Sequence, residues 1–474
     1  MAYYRFISRK VSITGSNQRE EIRIVKNGAT DLRVTVHKIN KDGTIGGLMY
    51  DRVFDPAVTQ EVRIYALGDE DRFVVEGGDS PIKIRMIGGP GNDEFINNGN
   101  GGKLLVYDAI YEKNKMSGNE GFTDKISADP QVNRYNRFDY KYDFINPGVT
   151  AAFNVDDGLF LGAQLEITKQ GFRKDPYRMR QFIQGVRAFN TGALRFRYAG
   201  DWIKVIGQHD LIARAEIRAP VNVTNFFGLG NQTVFDKTKP GREEFYRVRY
   251  NFVDASVLLR RQLQSWMRVS YGVGFQYFDV PLRQNQGKFV TQWSTNGLDS
   301  TTVFRPHMYG GGHLRLDIDS RNNRVLPSRG FVLDANVRPM LGLNDVSKSL
   351  LRANVDMRLY ASLFSFPRIV LAGRFGWARN FGDFEFPQAN YLSGIENLRG
   401  FRRDRFGGRT MMYNNIELRF KIADFSTYLF PGQIGFLVFN DVGRVWQDGE
   451  TEREWHVGNG VGIWVAPIKR FVIA

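Results

Sequence analysis

The sequence predicts an all-β protein: a transmembrane antiparallel β-barrel preceded by a small β-rich domain. Three observations lead there. From about residue 146 onward, apolar and polar residues alternate with period 2 in one segment after another. The chain holds no run of about 18 apolar residues, the length a membrane-spanning helix needs. Before residue 110, strand-like segments recur, each with a polar, acidic turn. A mean hydropathy of −0.35 fits this picture, because a spanning strand needs only about 9–11 residues and half of them face a polar lumen.

Composition narrows the function classes. A length of 474 residues allows one large barrel and a modest extra domain. The absence of cysteine excludes a disulfide framework, a thiol nucleophile and a thiolate metal site. The formal net charge of +15 invites a nucleic-acid reading. The basic residues, however, are scattered along alternating strands, so lumen and headgroup contacts are assigned to them and nucleic acid is not a partner. The opening stretch MAYYRFISRKVSITG has no apolar core of a signal peptide. Because a barrel must be exported, the expectation is a mature fragment or part of a longer chain.

Residues 1–110 form the first expected domain. KVSITGSNQREEIRIV, EVRIYALGDEDRFVVEG and KIRMIGGPGNDEFINNG align without gaps. Each has an alternating strand, an acidic turn residue (Glu20, Asp71, Asp93) and then an apolar one (Ile22, Phe73, Phe95). Stacked units of this kind predict a β-solenoid or a sandwich. Gly88 to Phe95 fits one copy of a glycine-rich calcium-binding nonapeptide. The other two copies are degenerate, so Asp93 is a weak calcium candidate, a structural turn is expected, and no metal site is assigned. Residues 111–145 are polar and aperiodic and read as a linker.

Residues 146–474 read as the barrel, with an incomplete last strand at the C-terminus. In LFLGAQLEIT, Leu159, Leu161, Ala163, Leu165 and Ile167 share one face, and Gly162, Gln164, Glu166 and Thr168 the other. Further strands are expected at 146–156, 178–191, 193–206, 208–218, 243–262, 265–279, 304–320, 330–340, 347–364 and 367–381. After a long loop come 407–424, 430–446 and 455–467, giving about fourteen with 159–172, plus a stub near Arg470. In hydrocarbon every backbone polar group must be paired, so such strands must close into a barrel.

The loop after the eleventh candidate, YLSGIENLRGFRRDRFGGRT, carries Arg399-Gly400-Phe401. Alternation on 411–422 turns Tyr413, Asn415, Glu417, Arg419 and Lys421 inward. Asp441 is expected to start a turn region, NDVGRVW, on the next strand. This block resembles the BamA/TamA superfamily of outer-membrane assembly barrels (the bacterial surface antigen family), whose members carry an Arg-Gly-Phe or Arg-Gly-Tyr tip on a loop folded into the barrel. A second stretch, LRLDIDSRNNRVLPSRGFVLDANV, is similar to the family's strand–turn–strand segment, the matching positions being Asp317, Asp319, Arg321, Pro327, Arg329 and Gly330. The loop NVTNFFGLGNQT has a fainter similarity through Gly-Leu-Gly-Asn.

The resemblance implies about sixteen strands, a lumen lock of Arg399 with Glu417 and Asp441, and residence in the bacterial outer membrane. It implies no cofactor and a non-enzymatic role in inserting or translocating polypeptides. The implied partners are outer-membrane lipids and lipopolysaccharide, client polypeptides and accessory assembly proteins. Residues 1–110 lack the β-α-α-β-β pattern of POTRA repeats. They look more like the β-rich segment found between a calcineurin-like phosphoesterase and a barrel, and no phosphoesterase motif is present in the chain. Two alternatives stay open: a membrane anchor for a fused surface or periplasmic module such as a phosphoesterase, and a passive pore.

Catalytic patterns are lacking. His37, His209, His307, His313 and His456 stand apart, and only His307 and His313 share a strand face. Ser328 and Ser393 sit in no Gly-x-Ser-x-Gly elbow. The carboxylates Asp317 and Asp319 are expected to face the lumen, hydrogen-bonded to Arg321 or Arg329.

Overall fold

The computed structural model describes all residues except 1, 140, 155–156, 240, 365–367, 429, 452, 469–471 and 473–474. The stub near Arg470 therefore lies outside the described residues. The chain divides into two compact units, Met1–Lys141 and Tyr142–Ala474.

In the first unit the aligned repeats become the turns of a parallel solenoid. One sheet stacks Lys10–Thr14, Glu61–Tyr65, Lys83–Ile87, Leu104–Tyr107 and Phe122–Asp124, all parallel. The facing sheet stacks Glu20–Asn27, Arg72–Gly77, Glu94–Asn97 and Lys115–Gly118, also parallel, and adds an antiparallel pair, Asp31–Ile39 and Ile45–Phe54, at one edge. From Glu61 onward successive strands of a sheet recur roughly every 20 residues, so each turn of chain contributes one strand to each sheet, while the first turn is lengthened by the inserted antiparallel pair. Apolar residues at matching positions, among them Ile22, Ile64, Phe73, Ile84, Phe95 and Val106, fill the space between the sheets and are fully buried. Gly89 takes φ +108, and a Cβ there would stand 1.8 Å from the Leu67 carbonyl oxygen. Only glycine lets successive turns approach that closely.

The sheets continue into the stretch read as a linker. Lys115–Gly118 and Phe122–Asp124 extend them by a further turn. These strands are short, and Lys115–Gly118 is exposed on every side chain, so no alternation marks it in the sequence.

The second unit is a fourteen-stranded antiparallel meander in which each strand pairs with its sequence neighbours. Its strands are β1 (Phe144–Asn154), β2 (Gly158–Gly171), β3 (Lys174–Ala188), β4 (Leu194–Ile206), β5 (His209–Asn225), β6 (Arg247–Gln264) and β7 (Met267–Asp279). They continue as β8 (His307–Asp319), β9 (Gly330–Gly342), β10 (Leu350–Ser362), β11 (Ile369–Gly382), β12 (Thr410–Ser426), β13 (Pro431–Trp446) and β14 (His456–Pro467). The long loop lies between β11 and β12. Strand β5 runs further than its first alternating stretch, because a register shift between Arg218 and Asn222 lets it resume as far as Asn225. The start of the segment read as 243–262 is a short helix, Arg242–Tyr246, whose first turn holds Glu243 and Glu244, where carboxylates are favoured.

Outward positions carry large exposed apolar side chains, including Leu161, Ile183, Val273, Leu359, Ile416 and Ile463. Inward positions carry the polar set: Gln164, for example, meets Thr150 at 2.9 Å. The sheet is strongly curled. Strands stand about 4.8 Å apart, so fourteen laid flat would spread over about 60 Å. Yet the β11–β12 loop reaches Asp157 in the β1–β2 turn through Arg403 (3.6 Å) and Asp441 on β13 through Arg399 (2.7 Å). Among the described residues, β1 is paired only with β2, and β14 only with β13. No helix among the described residues is long and apolar enough to cross a membrane.

Candidate functional site

The β11–β12 loop turns back on itself. Asn390–Leu392 pairs with Phe406–Gly408, and the tip between them carries Leu398 to Phe401. Leu398 is fully buried against Leu392, Phe406, Tyr413 and Val445. Gly400 has φ +91, a conformation that favours glycine. The Phe401 ring packs against Phe406 and His456 at 5.5 and 5.8 Å. A Cβ on Gly458 of β14 would stand 2.1 Å from the Arg399 carbonyl oxygen, so a bare glycine on the wall makes room for the tip.

These contacts aim the Arg399 guanidinium at two strands. Its Nε donates to Asp441 Oδ2 at 2.7 Å, and its Nη2 to Oδ1 of the same carboxylate at 2.7 Å. Its backbone N–H also donates to Asp441 Oδ2, at 3.0 Å. The remaining nitrogen, Nη1, donates to Glu417 Oε1 at 2.6 Å. The plane lies over the Phe439 ring, 3.7 Å from its centroid. Such a rigid, bidentate fork is what guanidinium offers and ammonium does not. Beside it opens a cavity of about 280 Å³, lined by Arg358, Arg374, Arg419 and the three lock residues among others.

Two details differ from the sequence reading. Asp441 lies inside β13, opposite Asn415 on β12 and Gly458 on β14, and the strand runs on to Trp446. NDVGRVW is strand because β12 and β14 pair both of its edges here. In addition, Glu417 has a second cation, since Arg419 Nη2 stands 2.6 Å from its Oε2. Only Asp441, with no exposed side-chain surface, depends on Arg399 alone for an ion pair among the described residues.

The faint Gly-Leu-Gly-Asn signal marks a second fixing point of the β11–β12 loop, the lid of the sheet. Strand β13 overhangs β14, whose last pairing is His456 with Gly443. At the overhang, the Asn231 carboxamide stands in for a neighbouring strand. It donates to the Val445 carbonyl at 2.8 Å and accepts from the Val445 N–H at 3.1 Å. Glu450 closes around it, accepting from the Asn231 backbone N–H at 2.5 Å. Gly230 donates to the Gly407 carbonyl at 2.7 Å, which ties this loop to the lid. Nothing local in the sequence indicates these partners, which for Asn231 lie more than two hundred residues away.

The strand–turn motif is a separate construction at the β8–β9 turn. Arg321 grips Asp319 with two bonds of 2.9 Å, and Gly330 takes φ +116 directly over Ser320 and Arg321. Pro327 is buried. Asp317 pairs with Arg315 (2.9 Å), not with Arg321 or Arg329. Alternation puts Arg315 on the same inward face as Asp317, while Arg329 is exposed and offers its backbone N–H to Asn322. No hydrogen bond or ion pair among the described residues joins this motif to the Arg399 lock.

Asp93 belongs to a ladder of side chains running up the solenoid. Asp71 Oδ1 accepts from the Glu20 N–H, Asp93 Oδ1 from the Asp71 N–H and Asn114 Oδ1 from the Asp93 N–H, each at 2.8 Å. Burial pushes the Asp71 carboxyl up to about 9, that of Asp93 to about 6 and that of Asp108 to about 8. Neighbouring acids, Glu20 and Asp69 beside Asp71 and Glu70 and Glu112 beside Asp93, push the same way. No group of metal-holding side chains is found among the described residues. The folded unit therefore binds protons that the unfolded chain has released above about pH 4. Its stability is full below that pH and falls as pH rises through about 6 to 9. Pulse proteolysis in urea should show the unit losing stability steadily between pH 5 and pH 8. Asp71→Asn should weaken that dependence, leaving the part carried by Asp93 and Asp108, and a wild-type unit equally stable at both pH values would contradict the account.

Comparison with known proteins adds a family match over part of the chain. Residues 311–473 match the model of the Omp85 superfamily domain. No curated protein matches the chain in sequence. Among solved structures, BamA from Haemophilus ducreyi lacking POTRA domains 1–3 is similar with TM-score 0.49 and 14% identity, over 69% of this chain and 67% of that one. CdiB from Acinetobacter baumannii is similar with TM-score 0.40 and 13% identity, over 68% of this chain and 53% of that one. CdiB from Escherichia coli gives 0.43 and 12%, over 70% and 58%. The chain thus spans between 53% and 67% of the length of these proteins.

Proposed function

We propose that this chain, an outer-membrane protein whose residues 311–473 form an Omp85 superfamily domain, assists the insertion or translocation of other polypeptides at the outer membrane. The observation that carries this reading is the lid held inside the curled sheet. Arg399 ties it to β12 and β13, and its base is tied at Gly407 to Gly230, whose neighbour Asn231 is bonded to the β13 overhang. A lumen closed in this way is a poor diffusion channel, which counts against the passive pore. The wall and its edges are then the working parts. An unpaired strand edge templates pairing with an incoming strand. The outermost strand, β1, carries exposed Ile145, Val149 and Phe153.

On this reading the partners are client polypeptides and accessory assembly proteins, with outer-membrane lipids and lipopolysaccharide around the wall. The chemistry is non-covalent. The anchor reading draws on a different feature, the self-contained apolar core of the first unit, which would serve as a mount for a further module. Depletion followed by outer-membrane proteomics separates the two. Insertion or translocation predicts a selective fall in other outer-membrane or surface proteins. An unchanged proteome with loss only of the chain itself would overturn that reading in favour of the anchor.

A further inference from the structure

The inward face of β8 to β11 is a network of matched charges with one exception. Asp319 is held by Arg321, Asp317 and Asp334 by Arg315, and Asp356 by Arg358 and Arg374. Asp254 on β6 reaches across to Arg338 on β9 at 2.8 Å. Arg352 on β10 sits directly opposite Arg338 in the β9–β10 register. The outward side chains Leu351 and Met357 fix its inward parity. No hydrogen bond or ion pair among the described residues reaches its guanidinium, and its electrostatic neighbours are Arg338 and Asp254. Two guanidinium groups thus share one carboxylate, and like charges directly opposite on adjacent strands are unfavourable.

The wall next to this pair is bare. Inward positions of β7 and β8 hold Gly272, Gly274 and Gly311, with Gly272 opposite His313 and Gly274 opposite Gly311. A Cβ on Gly274 would stand 2.9 Å from Arg338 Nη2, so the glycine gives the guanidinium its place. Both ring nitrogens of His313 are buried, with the Asn336 side chain as the ring's polar neighbour. Excess positive charge, a buried imidazole and glycine positions without side chains therefore meet at one place.

We propose that Arg338, Arg352 and His313 form a binding site for a phosphate group on the lumen wall. Phosphate fits better than carboxylate. Cross-strand neighbours stand about 5 Å apart, a span that two guanidinium forks bridge with a tetrahedral anion having several acceptor oxygens. Asp254 uses one nitrogen of Arg338 and so orients it, leaving the others for the anion. The phosphate has two possible sources, free inorganic phosphate or the headgroup of a lipid.

The test uses the full chain in detergent, with chloride replacing phosphate at equal ionic strength. Thermal melting and titration calorimetry are followed with inorganic phosphate and with a short-chain phosphatidic acid. The wild type should melt higher with at least one of them and bind it with saturation. Arg352→Gln should lose that response, while melting without phosphate at the wild-type temperature or above, because it removes a like-charged neighbour. Arg352→Lys keeps the charge without the fork and should bind about tenfold more weakly. A response to phosphatidic acid alone assigns the site to a lipid headgroup, and a response to inorganic phosphate assigns it to a free anion. A wild type that responds to neither ligand overturns the proposal whether or not the variants fold. So does an Arg352→Gln variant that responds as strongly as the wild type.

Discussion

Arg399→Ala should destabilise the barrel by about 3 kcal/mol and abolish or strongly reduce its function. The effect falls on one group in particular. Asp441 loses both side-chain bonds and its only ion pair among the described residues while remaining wholly buried. Glu417 keeps Arg419. A buried carboxylate without its cation is the costly outcome of breaking such a pair. The double variant Arg399→Ala/Asp441→Asn should therefore recover part of the stability, whereas Arg399→Ala/Glu417→Gln should recover little. Arg399→Lys should rescue only partly, since an ammonium cannot reproduce two bonds to Asp441 and one to Glu417. The measurements are heat-modifiable gel migration and calorimetric melting in detergent, with outer-membrane assembly followed in cells. Unchanged melting and assembly for Arg399→Ala would remove the lock from the account.

A loss of about 3–5 kcal/mol is expected from Phe95→Ala in the solenoid unit. Phe95 is fully buried and stacks on Phe73 of the preceding turn, with centroids 5.0 Å apart and planes at 12°. Truncation leaves a cavity that the parallel strands on either side cannot collapse to fill, because their backbones are tied in register. Urea-gradient proteolysis of the first unit reads the effect, and Phe95→Leu should cost much less. Barrel melting should not change if the two units are energetically separate. A Phe95→Ala variant as resistant as the wild type would show that stacking across turns contributes little.

How much of this was legible beforehand depends on how local the signal is. Period-2 alternation is a property of neighbouring residues, so the lipid-facing set around Leu161 and the inward set around Glu417 can be read without knowing any pairing. The fourteen barrel strands and the long loop before β12 follow from the same signal. So does the repeat of Ile22, Phe73 and Phe95, since a repeated turn must place equivalent residues in one stack. The strands at Lys115–Gly118 and Phe122–Asp124 leave no such signal, because they are short and Lys115–Gly118 is exposed throughout.

By itself, then, the sequence determined the class of fold, the face each side chain presents and the glycine turns, because strand geometry ties these to the residue and its immediate neighbours. Only the tertiary structure decided which charges share a partner. That Arg419 also holds Glu417, that Arg315 rather than Arg329 holds Asp317, that Asn231 completes the edge of β13 and that Arg352 faces Arg338 all depend on register and on the curl of the sheet. Register is a relation between distant segments. A carboxylate's partner is therefore fixed when the strands pair and the sheet curls, not when the strand is written.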